Sequence, residues 1–133
     1  MARYVISPDV ALRLAQENTV IADEHELLAP TLLRSQLLSM LYRAVRQGEM
    51  TREDADGYLA YVRALRVRLL GDRVLQNVAW KVADQLGWPD TFDAEYIALT
   101  QLQADAFITL DEDLASAVKD VVALAQFATL AQR

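Results

Sequence analysis

The chain has 133 residues, 53% of them hydrophobic and 24% charged, so it can bury a core and is not a disordered segment. It has no cysteine and a single histidine, His25, which excludes a disulfide scaffold, a thiolate zinc site and a cysteine nucleophile and argues against a Ser-His-Asp triad. The net charge of −6 is wrong for a simple basic nucleic-acid binder, yet it is unevenly spread: residues 1–81 carry 11 Lys/Arg against 10 Asp/Glu, and residues 82–133 carry 2 against 9.

Residues 1–133 read as a single domain, with no internal repeat and no low-complexity linker. No basic segment followed by a long apolar run comes after Met1, and no stretch approaches 18 uncharged apolar residues. A cytoplasmic protein without a membrane span is expected. In chain order, Arg3–Ser7 is a β-branched and aromatic run that stops at Pro8, a buried strand. Ser7 as N-cap and Pro8 in the first turn open a helix through Val10, Leu12 and Leu14. Leu27-Leu28-Ala29 is a very short second strand, and Pro30 or Thr31 starts a long helix through Leu33, Leu37, Leu38, Leu41 and Val45 to about Gly48. Thr51 with Asp54 is a capped helix start for Ala55, Leu59, Val62 and Leu65. Residues 66–70 alternate as a strand, and Gly71-Asp72 caps a helix that runs through Leu75, Ala79 and Val82 to a stop at Gly87.

The last third repeats the pattern. A helix is expected from about Phe92 to Gln103, a strand at residues 106–109, a helix from Glu112 to Val118, and a final strand at residues 121–124. Strands separated by helices imply an α/β domain with a parallel sheet, whose sites lie beyond the carboxyl ends of the strands.

Four acids fall at such positions. Asp9 follows the first strand, Asp93 lies in a first helical turn, and Asp111 and Asp113 follow the Phe107-Ile108-Thr109 strand. Any one of them has a structural explanation, since an acid complements a helix N-terminus. Composition alone favours a solvated face, whereas convergence on one sheet edge favours a carboxylate site for Mg²⁺ or Mn²⁺ acting on phosphate esters.

The segment Thr91-Phe-Asp-Ala-Glu-Tyr-Ile-Ala-Leu99 resembles the T-x-D-A-x-Y-L-A-L signature of PIN-domain proteins. Phe107-Ile-Thr-Leu-Asp111 resembles their apolar-apolar-T-x-D strand end, 18 residues after Asp93, and Tyr4–Leu12 is similar to their first strand and turn. The likeness spans nearly the whole chain and is greatest to VapC-type toxins of toxin–antitoxin pairs. It implies a three-layer α/β/α fold, with a central parallel sheet flanked by helices. It further implies an Mg²⁺- or Mn²⁺-dependent endoribonuclease that cleaves RNA, forms a homodimer and is inhibited by a small antitoxin. Asp93 and Asp111 match two catalytic, metal-binding acids of the family, and Asp113 matches an extra acid that some members carry.

Two positions depart from the pattern. The family's first aspartate falls directly after the Val5-Ile6 pair, where this chain has Ser7, with Asp9 two residues on. The family's glutamate falls six residues after Pro30, where this chain has Gln36. Neither Ser nor Gln carries negative charge. A two-residue shift displaces a Cα by up to about 6–7 Å, which a tight strand–Pro–helix turn absorbs poorly, so Asp9 rescues the site only if the loop is re-registered. Two functions stay open: a ribonuclease using Asp93, Asp111, Asp113 and Asp9, or a degenerate PIN domain that binds RNA or protein without turnover.

The remaining expectations are structural. His25 reads as a solvated connector residue, and Trp80, on the stripe with Val78 and Val82, as core or dimer interface. The arginines either grip RNA phosphates or pair with Glu49, Glu53, Asp54 and Asp56. Tyr42, Tyr58 and Tyr61 lie on the two middle helices, a contact surface in the resembled family.

Overall fold

The computed structural model describes residues 1–132. Four strands, β1 (Ala2–Ile6), β2 (His25–Pro30), β3 (Arg68–Leu70) and β4 (Ala106–Ile108), form one sheet in the order β3-β2-β1-β4. Every pairing is parallel; Val5 stands opposite both Leu28 and Phe107. The strands are short, and their polar residues, Arg3, His25, Glu26 and Arg68, lie toward the amino ends. The carboxyl halves of β1 and β2 and all of β4 are apolar and buried, as expected where a sheet is covered on both faces. Helices α1 (Pro8–Gln16), α2 (Leu32–Arg46), α3 (Arg52–Ala64), α4 (Arg73–Leu86), α5 (Phe92–Gln103) and α6 (Glu112–Val118) surround the sheet. The result is a three-layer α/β/α fold with a central parallel sheet. α5 packs on β1, β2 and β4 with α4 against its side, while α1 packs against α2 and α3.

α5 is apolar almost all round. Ala94, Tyr96, Ile97, Ala98, Leu99 and Thr100 are buried, so this helix is a core element rather than a half-exposed one. It leads into β4 and therefore runs against the strands, which puts its first turn at their carboxyl edge. α4 starts at the Asp72 N-cap and stops at Gly87, whose φ of 68° is the left-handed turn that favours glycine. The Thr51–Asp54 capping box forms as expected.

Several expectations change in detail. β2 is longer than the Leu27–Ala29 run because the parallel register with β1 extends back to His25. His25 is thus a half-buried strand residue rather than a solvated connector, with its ring edge-on to Tyr4 and Nε2 3.0 Å from the Thr129 carbonyl. Residues 121–124 make no full strand. One parallel bridge, Phe107 to Leu124, ties the segment to β4, and the chain then turns through a 3₁₀ turn at Phe127–Leu130. β3 begins only at Arg68 because Arg66 adopts a left-handed φ of 59°, which breaks extended pairing. Trp80 is 68% exposed: it falls outside the stripe of Leu75, Ala79 and Val82 and is not core. Among the described residues, no helix is long and apolar enough to cross a membrane.

Candidate functional site

The strand order reverses between β1 and β4, because β1, β2 and β3 step one way across the sheet and β4 lies on the other side. In open parallel sheets the crevice outside such a switch point is where ligands bind. Asp9 stands in the first turn of α1, just past β1, and Asp111 caps α6, just past β4. The first turn of α5 adds Asp93. A recess of about 320 Å³ beside them is lined by Asp90, Asp93, Asp111 and Asp113, with Trp88, Pro89, Leu114 and Ala117.

The electrostatics follow from this crowding. Asp93 remains open to solvent on one side, yet its carboxyl is raised above the ordinary 3.8, first by partial burial and then by the charges of Asp111, Asp90 and Asp9. Glu95 is also raised, by burial. No side-chain cation is paired with these acids among the described residues; the ion pairs formed are Arg3 and Arg68 with Glu26, Arg13 with Glu17, and Arg52 with Asp56. Of the acids proposed as arginine partners, only Asp56 takes that role.

Three of the acids, Asp9, Asp90 and Asp111, are held by local backbone. Asp111 Oδ1 accepts the Leu114 N–H at 3.0 Å, and the Asp111 N–H donates to Thr109 Oγ1 at 3.1 Å. Asp90 Oδ1 accepts the Phe92 N–H at 3.2 Å. Asp9 Oδ1 accepts the Val10 N–H at 2.8 Å and also the Ser7 hydroxyl. Ser7 is the N-cap of α1 by backbone, but its side chain does not cap: the hydroxyl turns to Asp9 instead.

Gln36 sits on α2, after the carboxyl end of β2, and its Oε1 accepts the Tyr96 hydroxyl at 2.6 Å. Tyr96 is buried, and its phenol is raised far above the usual range by burial, then by Glu95, Asp93 and Asp9. Ser7, Asp9, Gln36, Asp93, Asp111 and Asp113 therefore gather at one edge of the sheet. They do not close into a formed metal cage: among the described residues, no three His, Asp or Glu side chains are drawn together around a common point. Sequence reasoning missed Tyr96 and Asp90. Tyr96 lies three residues after Asp93 on the same helix, a spacing that puts both on one face, and Asp90 ends the Pro89-Asp90 turn before it.

A second feature lies away from this edge. Between α2 and α3 runs a groove of about 480 Å³ with a floor of Leu33, Leu37, Leu59, Val62 and Leu69 and a rim of Arg34, Arg63 and Arg66. It continues through Leu38 into a smaller one of about 260 Å³ beside Leu41, Tyr42, Val45 and Arg46. Leu38 is 57% and Tyr42 63% exposed, large apolar surfaces for a helix that otherwise buries Leu33, Leu37 and Leu41.

No protein-family model matches the chain, and no curated protein matches it. Solved structures do. The crystal structure of PAE2754 from Pyrobaculum aerophilum aligns with a TM-score of 0.70, over 96% of this chain and 91% of that one, at 18% sequence identity. A likeness at that identity speaks for the three-layer fold alone.

Proposed function

We propose that this chain is a PIN-like, VapC-type ribonuclease of the cytoplasm, which hydrolyses RNA phosphodiester bonds with Mg²⁺ or Mn²⁺ at the β1–β4 crevice. The observation that carries the proposal is the crowding of Asp9, Asp90, Asp93 and Asp111 at the switch point with no cation paired to them among the described residues. There, partial burial and then the charges of Asp111, Asp90 and Asp9 raise Asp93. Like charges held together without a counter-charge are stabilised by a cation. The donor set fits Mg²⁺, which takes one or two protein carboxylates, keeps several waters and shares the rest of its shell with substrate phosphate. Asp111 and Asp9 each give one oxygen to local N–H or O–H groups and keep the other for such a ligand.

In this reading Asp93 and Asp111 would hold the ion, and Asp113, in the first turn of α6, would add to the negative field. Asp9 stands in for the acid that Ser7 lacks, with the Ser7 hydroxyl and the Val10 N–H fixing its carboxylate. The bound ion supplies an activated water and charge neutralisation at the phosphate. In the hydrolysis one P–O bond to a ribose oxygen breaks as one P–O bond to the water oxygen forms, and a proton from the water ends on the departing ribose hydroxyl.

Calorimetric titration of Mn²⁺ into the wild type and Asp93→Asn tests the proposal. The expected result is saturable binding that the variant loses. Silence of the wild type at millimolar metal overturns it.

A second reading, a PIN-like domain that binds without turnover, has its own support. The side chains at the two departing positions are already committed, Ser7 to Asp9 and Gln36 to Tyr96. Restoring both acids with Ser7→Asp and Gln36→Glu separates the readings: metal-dependent RNA cleavage that arises only in the double variant makes the wild type a binder. For the small antitoxin of the family reading, the α2–α3 groove is the docking surface this proposal assigns. The apolar floor suits an amphipathic helix, and the unpaired Arg34, Arg63 and Arg66 suit acidic residues along its sides. The same rim opposes a two-fold contact through this groove in the expected homodimer, since it would set arginine against arginine.

A further inference from the structure

The hydrogen bond between Tyr96 and Gln36 fixes more than a side chain. A buried phenol among carboxylates stays protonated, so it donates, and Gln36 must answer with its carbonyl oxygen. The amide is thereby locked in one orientation. Its Nε2 points away from Tyr96 and carries two N–H donors. These have no acceptor among the described residues, and Gln36 is only half buried. Tyr96 lies one turn beyond Asp93 on α5, and its bond to Gln36 brings the amide to the acidic edge. A glutamate at this place would accept the same Tyr96 bond and would otherwise offer acceptors and a negative charge. The glutamine offers donors and none.

We propose that Gln36 is a substrate-anchoring residue, whose side-chain N–H groups bind a non-bridging phosphate oxygen of an RNA backbone at the β1–β4 edge, with Tyr96 as the positioning residue that holds the amide in register. This rests on the RNA reading above and deepens it. The chemistry is direct. An anionic backbone approaching a cluster of aspartates is repelled, and a neutral donor on the cluster's border gives it a foothold that a carboxylate there would remove. Gln36 is thus a residue for the phosphate and not for the cation.

The test measures RNA binding without cleavage, by fluorescence anisotropy of a labelled single-stranded RNA in excess EDTA. Gln36→Glu keeps the size of the side chain and still accepts the Tyr96 hydroxyl, so the fold is kept, and its added charge in the acidic cluster lowers the melting temperature in chelator only slightly. The expected result is a loss of RNA affinity of about 10-fold or more, the scale of a hydrogen bond to a charged group. The same variant should bind Mn²⁺ more tightly in calorimetry. Tyr96→Phe leaves the amide free to turn and should give a smaller loss, with no gain in metal affinity. If the wild type binds RNA and Gln36→Glu binds it equally well, the anchoring role is overturned and the RNA reading survives. If the wild type shows no saturable RNA binding in EDTA, the anchoring role is overturned, while the RNA reading, whose phosphate contact includes the cation, stands or falls on the metal titration.

Discussion

The carboxyl edge of the sheet and the α2–α3 groove are opposites built by one fold. At the edge, acids crowd together and the neighbouring polar side chains are tied into hydrogen bonds: Ser7 to Asp9, Tyr96 to Gln36, and Asp111 to the backbone of α6. In the groove, apolar side chains lie open and the guanidinium groups of Arg34, Arg63 and Arg66 have no carboxylate partner among the described residues. The uneven charge along the sequence is therefore an uneven charge in space. Acids collect where helices begin beyond strand ends, because free N–H groups and helix dipoles favour them there. Arginines collect on the outer faces of α2 and α3, which turn away from the sheet. The edge concentrates negative charge, and the groove exposes apolar surface beside positive charge.

The way to erase both regions together is through the sheet that they share. Phe107 is fully buried on β4, paired to Val5 and packed against Tyr96. Phe107→Ala should cost about 3–5 kcal/mol, read as a lower midpoint in urea denaturation, since the cavity opens between the edge strand β4 and α5, where Phe107 is fully buried against Tyr96. A smaller loss would mean that α5 can settle onto the sheet.

Within α2, neighbouring leucines sharpen the contrast. Leu41 is 1% exposed and Leu38 57% exposed, three residues apart on the same helix. Leu41→Ala should cost about 2–5 kcal/mol. Leu38→Ala should stay within about 0.5 kcal/mol of the wild type, the range of surface substitutions, while weakening capture of an acidic amphipathic helix. If Leu38→Ala destabilises the free protein as strongly as Leu41→Ala, the exposed leucine belongs to the core and the groove is not an open surface.

Much of this fold was legible in the sequence, because its punctuation is strong. Pro8, the Thr51–Asp54 box, Asp72 and Gly87 mark helix ends by mechanisms that act locally, and α5 and α6 occupy the spans that their patterns gave. Strand limits were less legible, since they depend on register with a neighbour: His25 joins β2 only through its pairing with Ala2. Residues 121–124 have a strand's composition, yet they meet β4 at one bridge before the chain turns away. Trp80 misled for a related reason, because an aromatic residue flanked by valines reads as core until the helix is rotated against its neighbours. At the edge, the placement of Asp93 and Asp111 at helix starts was legible from the order of the elements. What the sequence could not supply was the wiring of the two departures. Ser7 might have capped a helix and Gln36 might have faced solvent; only the tertiary approach of Asp9 and Tyr96 decides otherwise.

The smallest effect tests the edge most directly. Asp93 has a folded-state carboxyl raised above its ordinary 3.8, so the folded protein holds that proton more tightly than the unfolded chain. The stabilisation from this group is complete below 3.8 and is lost as the pH rises through the raised folded value. At neutral pH the ionised group, facing Asp111, Asp90 and Asp9, opposes folding. Asp93→Asn in chelator should therefore melt slightly above the wild type at pH 7, and the two should converge as the pH falls below 3.8. Adding Mg²⁺ at pH 7 should reverse the order, because a ligand that binds only the folded wild type raises its stability by mass action, while the variant has lost a ligand to bind it. Such a reversal requires that the repulsion at this edge is the counterpart of a cation site. A variant that stays more stable at every metal concentration would make the crowding a fixed cost of the fold, and the edge would differ from the groove in charge but not in having a ligand.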